Sequence, residues 1–140
     1  MIAYFDTSAV VPLLIEEAGT GRCEEQWSAA DRVVSVRLVE VEARAALAQA
    51  RRQGRLTERQ LRSTVEALDG LLAQLDVVDI DDDLVSQAAE LAEGHALRAY
   101  DAVHLAAALA VADDDLVLVA GDRVLLAAGT ALGLAVTTTT

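Results

Sequence analysis

Short β-type runs alternate with helical segments along the whole chain. The five runs are rich in valine, isoleucine, leucine and alanine and cover 2–5, 32–36, 77–80, 116–120 and 134–136. Because segments with helical apolar spacing lie between most of them, the pattern predicts parallel strands joined by helices. Such crossovers are right-handed and place helices on both faces of the sheet. The expected fold is α/β, a three-layer α/β/α sandwich around a central parallel sheet.

The segments between the runs carry their own start and stop signals. The predicted helices cover 7–19, 37–54, 56–76, 81–95, 100–112 and 121–129. Thr7 or Ser8 is expected to cap the first helix, and Thr57 with Gln60 fits a capping box. The second and third helices are expected to form a protruding hairpin. The prediction is a single domain over 1–136, followed by a flexible threonine tail at 137–140.

Charge and composition exclude several kinds of chemistry. The net charge is −12, and all 11 basic residues are arginines. Without lysine, the chain has neither a P-loop phosphate clamp nor a Schiff-base nucleophile. Its acidity also argues against binding nucleic acid through bulk charge. A single cysteine, Cys23, predicts no disulfide framework and no thiolate metal site.

Two sequence features bear on cellular location. The longest apolar runs fall well short of the roughly 18 residues that a membrane span needs. The N-terminal segment "MIAYFDTS" has no basic region and reaches an aspartate at position 6, unlike a signal peptide. The expected location is the cytoplasm, without a membrane partner.

Two aspartates lie at the ends of predicted strands. Asp6 comes after the first strand and Asp122 after the fourth. Functional groups in parallel α/β folds lie at the carboxyl ends of the strands, so these two aspartates are candidates for a site. The acidic runs at 113–115 and 81–83 precede elements instead and are interpreted as turn and capping residues.

Two further carboxylates lie in predicted helices. Glu42 is surrounded at helical spacing by leucine, valine and alanine, whereas Glu40 has Arg44 one turn ahead and is interpreted as an exposed structural residue. Asp101 lies near the start of a helix that is apolar around most of its circumference. Carboxylates in such surroundings are rare unless they are paired or metal-bound.

The three aspartates each also have a simpler interpretation, as a strand end or as a helix cap. They are Asp6, Asp101 and Asp122. Glu42 has no capping role to explain it. Together the four favour convergence on one site, where carboxylates 4 Å apart repel by about 4 kcal/mol per pair at an effective dielectric near 20. Such a cluster needs protons or cations, and oxygen-only ligands suit Mg²⁺ or Mn²⁺.

Four segments in this order carry a family resemblance: "YFDTSAVVPLL", "SVRLVEVEARAAL", "LRAYDAVHLAAAL" and "LVAGDRVLLAA". They resemble PIN-domain proteins, and specifically the VapC-type toxins of bacterial toxin–antitoxin pairs. The resemblance implies a PIN-like fold and an endoribonuclease that uses Mg²⁺ or Mn²⁺. It implies an acidic site formed by Asp6, Glu42, Asp101 and Asp122, with Ser8 as a supporting hydroxyl. It also implies a homodimer and a cognate VapB-like antitoxin.

Neighbouring residues extend or qualify this assignment. Many relatives have threonine or serine where this chain has Ala120, a departure from the family pattern that bears on the role of Asp122. Arg98 and Arg123 lie beside two proposed ligands and could contact RNA phosphates, or could be ordinary surface arginines. His104 lies one turn after Asp101, where a packed core histidine is the favoured interpretation.

Two rival functions remain open at the level of sequence. A phosphatase of the haloacid dehalogenase type also begins with a strand that ends in aspartate, but it needs a second acid where this chain has Ser8, and the absence of lysine counts against it. The second rival is a PIN-like binding module with little activity, which acts through partner or dimer contacts. Metal-dependent cleavage of RNA would distinguish the nuclease from both.

Overall fold

A single parallel sheet forms the centre of the computed structural model, which describes residues 1–140. Its strand order is β3-β2-β1-β4-β5, and every neighbouring pair is parallel. The strands are β1 (Ile2–Phe5), β2 (Arg32–Val36), β3 (Asp76–Val78), β4 (Leu116–Ala120) and β5 (Ala135–Thr138). The order places the first strand in the middle, so that Asp6 follows a central strand. The predicted parallel α/β sheet is confirmed.

Seven α-helices and one short 3₁₀ helix surround the sheet. The α-helices are α1 (Thr7–Val10), α2 (Thr20–Ala29), α3 (Val39–Arg52), α4 (Glu58–Gln74), α5 (Asp82–His95), α6 (Ala99–Ala110) and α7 (Arg123–Ala131). The 3₁₀ helix covers Val11–Leu13. The expected capping box is present at the start of α4, where Thr57 and Gln60 bond each other's backbone amides. No helix has the length and apolar character needed to cross a membrane.

The core has two halves, one on each face of the sheet. Side chains alternate along a strand, so Tyr4 faces one side while Ala3 and Phe5 face the other. The half that contains Tyr4 packs against α5, α6 and α7. The half that contains Phe5 packs against α1, α2, α3 and α4. This arrangement confirms the predicted three-layer α/β/α sandwich.

Helices α3 and α4 form the predicted hairpin. Its base packs on the sheet through Leu47 and Leu68, both fully buried. Its tip, residues 51–60, is exposed except for the half-buried Leu56. The tip arginines are partly neutralised, since Arg51 pairs with Glu58. The hairpin therefore protrudes only at its tip.

The first predicted helix, 7–19, is wrong in its length. The chain forms α1 and the 3₁₀ turn, then an irregular segment, before α2 begins at Thr20. Pro12 is the reason, because it has no backbone N–H to donate to the preceding turn of an α-helix. The Thr20 hydroxyl then donates to the Pro12 carbonyl at 2.7 Å and ties the two segments together.

The threonine tail predicted at 137–140 is not free. Strand β5 extends through Thr138, which pairs with Ala120 of β4. Thr139 continues this pairing, with its amide donating to the Ala120 carbonyl at 3.1 Å, and only 5% of its surface is exposed. Threonine is a good strand former, and a vacant ladder position on β4 was available to it.

Gly19 provides a test of the position of the C-terminal segment around Thr139. A Cβ atom at Gly19 would lie 2.6 Å from the backbone oxygen of Thr139, whereas one at Gly21 would meet nothing within 4 Å. We expect Gly19→Ala to lower the free energy of unfolding by about 1–3 kcal/mol, because backbone must shift. The control Gly21→Ala should raise it by about 0.5–1 kcal/mol. Urea denaturation measures both, and equal effects would contradict the docking of Thr139.

Candidate active site

An open polar cleft lies at the carboxyl edge of the sheet. Its volume is about 460 Å³, and no hydrophobic residue lines it. The lining residues are Asp6, Thr7, Ser8, Glu17, Glu42, Arg98, Asp101, Gly121, Asp122 and Thr139. The four acidic residues singled out in the sequence therefore share one cleft, together with Ser8 and Arg98.

Asp6 ends β1 and caps the short helix α1. Its Oδ2 accepts hydrogen bonds from the Ser8 amide, at 3.1 Å, and from the Ser8 hydroxyl. The Gly121 amide in turn donates to Ser8 Oγ at 2.8 Å. The expected cap, Thr7 or Ser8, is thus wrong, because Asp6 accepts the Ser8 amide itself. Asp6 Oδ1 accepts no hydrogen bond and lies 3.4 Å from His104 Nε2.

Glu42 projects from the first turn of α3 into the cleft. Its Oε1 accepts hydrogen bonds from the Thr7 hydroxyl, at 2.8 Å, and from His104 Nε2, at 2.6 Å. Its Oε2 accepts none. The side chain is 23% exposed, so it lies at the cleft edge instead of inside an apolar stripe. Glu40 is exposed, as the sequence indicated.

Arg98 joins the other two carboxylates. Its Nε donates to Asp101 Oδ2 and its Nη2 donates to Asp122 Oδ2, both at 3.0 Å. Asp101 lies inside the first turn of α6, which Arg98 precedes as the N-cap residue, so the interpretation of Asp101 as a cap is wrong. Its Oδ1 accepts no hydrogen bond.

Asp122 has a structural role that Asp101 lacks. It is the N-cap of α7, and its Oδ1 accepts from the Leu125 amide at 2.9 Å. Since Arg98 bonds Oδ2, both oxygens of Asp122 are engaged. The preceding Ala120 is fully buried in the core and is not part of the cleft lining.

Protonation in the cleft reflects both burial and charge. Burial is the main cause that raises the pKa of Asp101, and Arg98 partly counteracts it. Burial alone lowers the pKa of His104, but the hydrogen bond to Glu42 and the charge of Asp6, with further carboxylate charge nearby, outweigh it and raise that pKa. Behind His104, burial raises the pKa of Tyr4 well above its usual value, so the Tyr4 hydroxyl stays protonated.

The unbonded oxygens determine what the cleft can bind. Asp6, Glu42 and Asp101 each keep one carboxylate oxygen that accepts no hydrogen bond, and the nearby ring nitrogen, His104 Nε2, is already bonded to Glu42. No three such side chains close around a single point as an all-protein cage would. Mg²⁺ usually keeps several waters and uses one or two carboxylates, so this oxygen set fits a hydrated divalent cation.

Two further residues singled out in the sequence, Arg123 and His104, lie outside the cleft lining. Arg123 is exposed and does not line the cleft. His104 is fully buried, as expected, but it bonds Glu42 and not its helical neighbour Asp101. Sequence reasoning missed Thr7, Glu17 and Thr139 as lining residues. Only Thr7 had a signal, since it directly follows Asp6.

Sequence comparison identifies relatives over most of the chain. A family model described as the PIN domain matches residues 3–129. Ribonuclease VapC45 of Mycobacterium tuberculosis (strain CDC 1551 / Oshkosh) is 42% identical over 122 residues, which are 87% of this chain and 85% of the relative.

Two solved structures with the same fold come from toxin–antitoxin pairs or their toxins. The toxin VapC20 of Mycobacterium tuberculosis, described as cleaving the sarcin-ricin loop, aligns with a TM-score of 0.68 and 21% identity, over 94% of this chain and 95% of that one. A toxin-antitoxin complex from Klebsiella pneumoniae aligns with a TM-score of 0.66 and 17% identity, over 99% and 98% of the two chains. The family match and the 42% identity together establish that this chain belongs to the PIN-domain family and, within it, to the VapC group.

Proposed function

We propose that this protein is a divalent-metal-dependent endoribonuclease and the toxin of a VapBC-type toxin–antitoxin pair. The observation that carries the proposal is that Asp6, Glu42, Asp101 and Asp122 line a single cleft, where the first three each keep an unbonded oxygen. Relatives named as VapC ribonucleases support the same activity. The substrate class is RNA, and the reaction is hydrolysis of a phosphodiester bond.

The carboxylate oxygens that accept no hydrogen bond indicate a different role for each acidic residue. Asp6, Glu42 and Asp101 are assigned to hold a hydrated Mg²⁺ or Mn²⁺ through their free oxygens, by direct contact or through the waters of the cation. Asp122 is assigned to hold Arg98 and cap α7, and it reaches the cation only if Arg98 releases Oδ2. When bound, such a cation lowers the pKa of a water molecule and offsets the charge of the scissile phosphate.

The side chains around the ligands orient them. Ser8 fixes Asp6 from one side, with its own hydroxyl held by the Gly121 amide. Thr7 holds one oxygen of Glu42. Arg98 is the cation of the cleft lining, so it is assigned to contact an RNA phosphate next to the one that is cleaved. Together with a bound metal, this local positive charge allows a chain of net charge −12 to hold a polyanion.

Two protein partners complete the proposal. A cognate VapB-like antitoxin is proposed because the fold matches that of a chain in a toxin-antitoxin complex. A homodimer is proposed because the groove between α5 and α6 is lined only by apolar residues, including Val85 and Val103, and Val85 is 52% exposed. The proposed place of action is the cytoplasm, where RNA is available.

Removal of the Asp101 charge tests the activity. We expect Asp101→Asn to lower RNA cleavage by more than about 100-fold, since even residues that only support a metal ligand contribute 10–100-fold. The matched control is Asp114→Asn, an exposed aspartate at the opposite end of β4. Cleavage of a mixed tRNA and rRNA pool by antitoxin-free protein would be measured with Mg²⁺, Mn²⁺ or EDTA.

Each outcome of this assay has a defined meaning. Metal-dependent fragments that are lost in Asp101→Asn support the nuclease. Retained cleavage by folded Asp101→Asn protein would contradict the ligand assignment. No RNA cleavage, with hydrolysis of a small phosphate ester, would favour the phosphatase, and neither reaction would favour the binding module.

Substitution of Asp122 separates its two roles. Asp122→Asn keeps a side-chain oxygen for the Leu125 amide, so we expect little change in stability, whereas Asp122→Ala should lower the free energy of unfolding by about 1 kcal/mol. Both variants free Arg98 from one partner. We expect Asp122→Asn to lower cleavage by about 10–100-fold, less than Asp101→Asn does. A loss as large as that of Asp101→Asn would show that Asp122 is a direct ligand.

A further inference from the structure

Two polar side chains lie buried directly behind the cleft without a role in the proposed chemistry. Tyr4 belongs to β1 and His104 to α6, and both are fully buried in the apolar half-core of α5, α6 and α7. The residues that follow His104 in α6 are all leucine or alanine, which suit this core better. A polar pair at this depth needs every hydrogen bond satisfied.

The hydrogen bonds of this pair lead to the cleft. The Tyr4 hydroxyl lies 2.9 Å from His104 Nδ1, and the two rings meet edge to face. On the opposite side of the imidazole, Nε2 lies 2.6 Å from Glu42 Oε1. An ionised carboxylate can only accept, so Nε2 carries a proton. The Tyr4 hydroxyl donates to Nδ1 of the neutral ring and accepts from Nδ1 of the protonated ring, so it bonds the imidazole in either state.

The effect of this chain of bonds falls on Glu42. Thr7 and His104 both donate to the same oxygen, Oε1, and leave Oε2 without a protein partner. A glutamate at a cleft edge has three flexible side-chain torsions, so a single donor would leave its free oxygen poorly directed. Two donors on one oxygen restrict the carboxylate to one orientation. The Tyr4 hydroxyl restricts the imidazole in the same way.

We propose that Tyr4 and His104 are positioning residues that orient Glu42 for the divalent cation. They act from inside the core and touch neither the cation nor the RNA. The inference rests on the metal site of the proposed function, with Glu42 as one of its ligands. Partners that orient a metal ligand typically contribute 10–100-fold to metal affinity.

Removal of the Tyr4 hydroxyl tests this inference. We expect Tyr4→Phe to weaken Mn²⁺ binding by about 10-fold or more, because His104 Nδ1 loses its partner and the ring is no longer fixed. The matched control is Tyr100→Phe, which removes the hydroxyl of the other tyrosine, 63% exposed. Its Mn²⁺ affinity should equal that of the wild type. Calorimetry or electron paramagnetic resonance measures the affinity, and circular dichroism checks that each variant is folded.

A second pair of variants distinguishes the loss of a hydrogen bond to Glu42 from a general change in core packing. His104→Gln retains an N–H donor that can reach Glu42, whereas His104→Leu fills the space without one. We expect His104→Gln to bind Mn²⁺ more tightly than His104→Leu. A simple packing role predicts the reverse order, since leucine suits the apolar core better.

The outcomes separate this inference from the proposed function. Wild-type Mn²⁺ affinity in folded Tyr4→Phe protein would overturn the inference, even if RNA cleavage were intact in the wild type. Weaker Mn²⁺ binding in Tyr4→Phe would uphold it, even if the wild type cleaved no RNA. Absence of Mn²⁺ binding by the wild type would overturn both the inference and the metal site on which it rests.

Discussion

Electrostatic repulsion among carboxylates at one edge of the sheet is the constraint on which the site depends. Asp6, Glu42, Asp101 and Asp122 line a single cleft in a chain that already carries a net charge of −12. Like charges about 4 Å apart cost several kcal/mol at the dielectric of a protein surface. The protein offsets this cost with donors on every carboxylate. A cation can then bind to the oxygens that those donors leave free.

The sheet order explains how distant residues meet in this cleft. Strands β1 and β4 are neighbours in the middle of the sheet, so their carboxyl ends bring Asp6 and Asp122 to the same edge. Helix α3 follows β2 on the other side of β1 and delivers Glu42 in its first turn. Helix α6 starts at the same edge and delivers Asp101. The negative side chains at the starts of α3 and α6 also interact favourably with the helix dipoles.

Local sequence patterns were sufficient for much of this architecture. The alternation of β-type runs and helices predicted the parallel sheet, and the acidic residues at their junctions predicted the cleft. The spacing also distinguished the exposed Glu40 from Glu42. Pro12 could have indicated the break after α1, since a proline inside a helical pattern usually ends or bends the helix. The threonines at 137–138 could equally have been recognised as strand formers.

Other features depend on contacts between residues far apart in the chain. The bridge from Arg98 to Asp122 spans 24 residues, and the bond between His104 and Glu42 spans 62. No local pattern reveals which oxygen of a carboxylate is engaged and which is free. The role of Thr139 depends on a groove formed by Gly19 and Gly121, where a Cβ atom would come within 2.6 Å and 2.9 Å of Thr139.

The most direct measurement is the location of Mn²⁺ in crystals of the protein by anomalous diffraction. The account predicts a peak in the cleft, with the cation held by the free oxygens of Asp6, Glu42 and Asp101, directly or through its waters. Asp122 should remain bonded to Arg98 and to the Leu125 amide. A peak elsewhere, or a cation held by Asp122 in place of Glu42, would contradict the assignment of free and engaged oxygens.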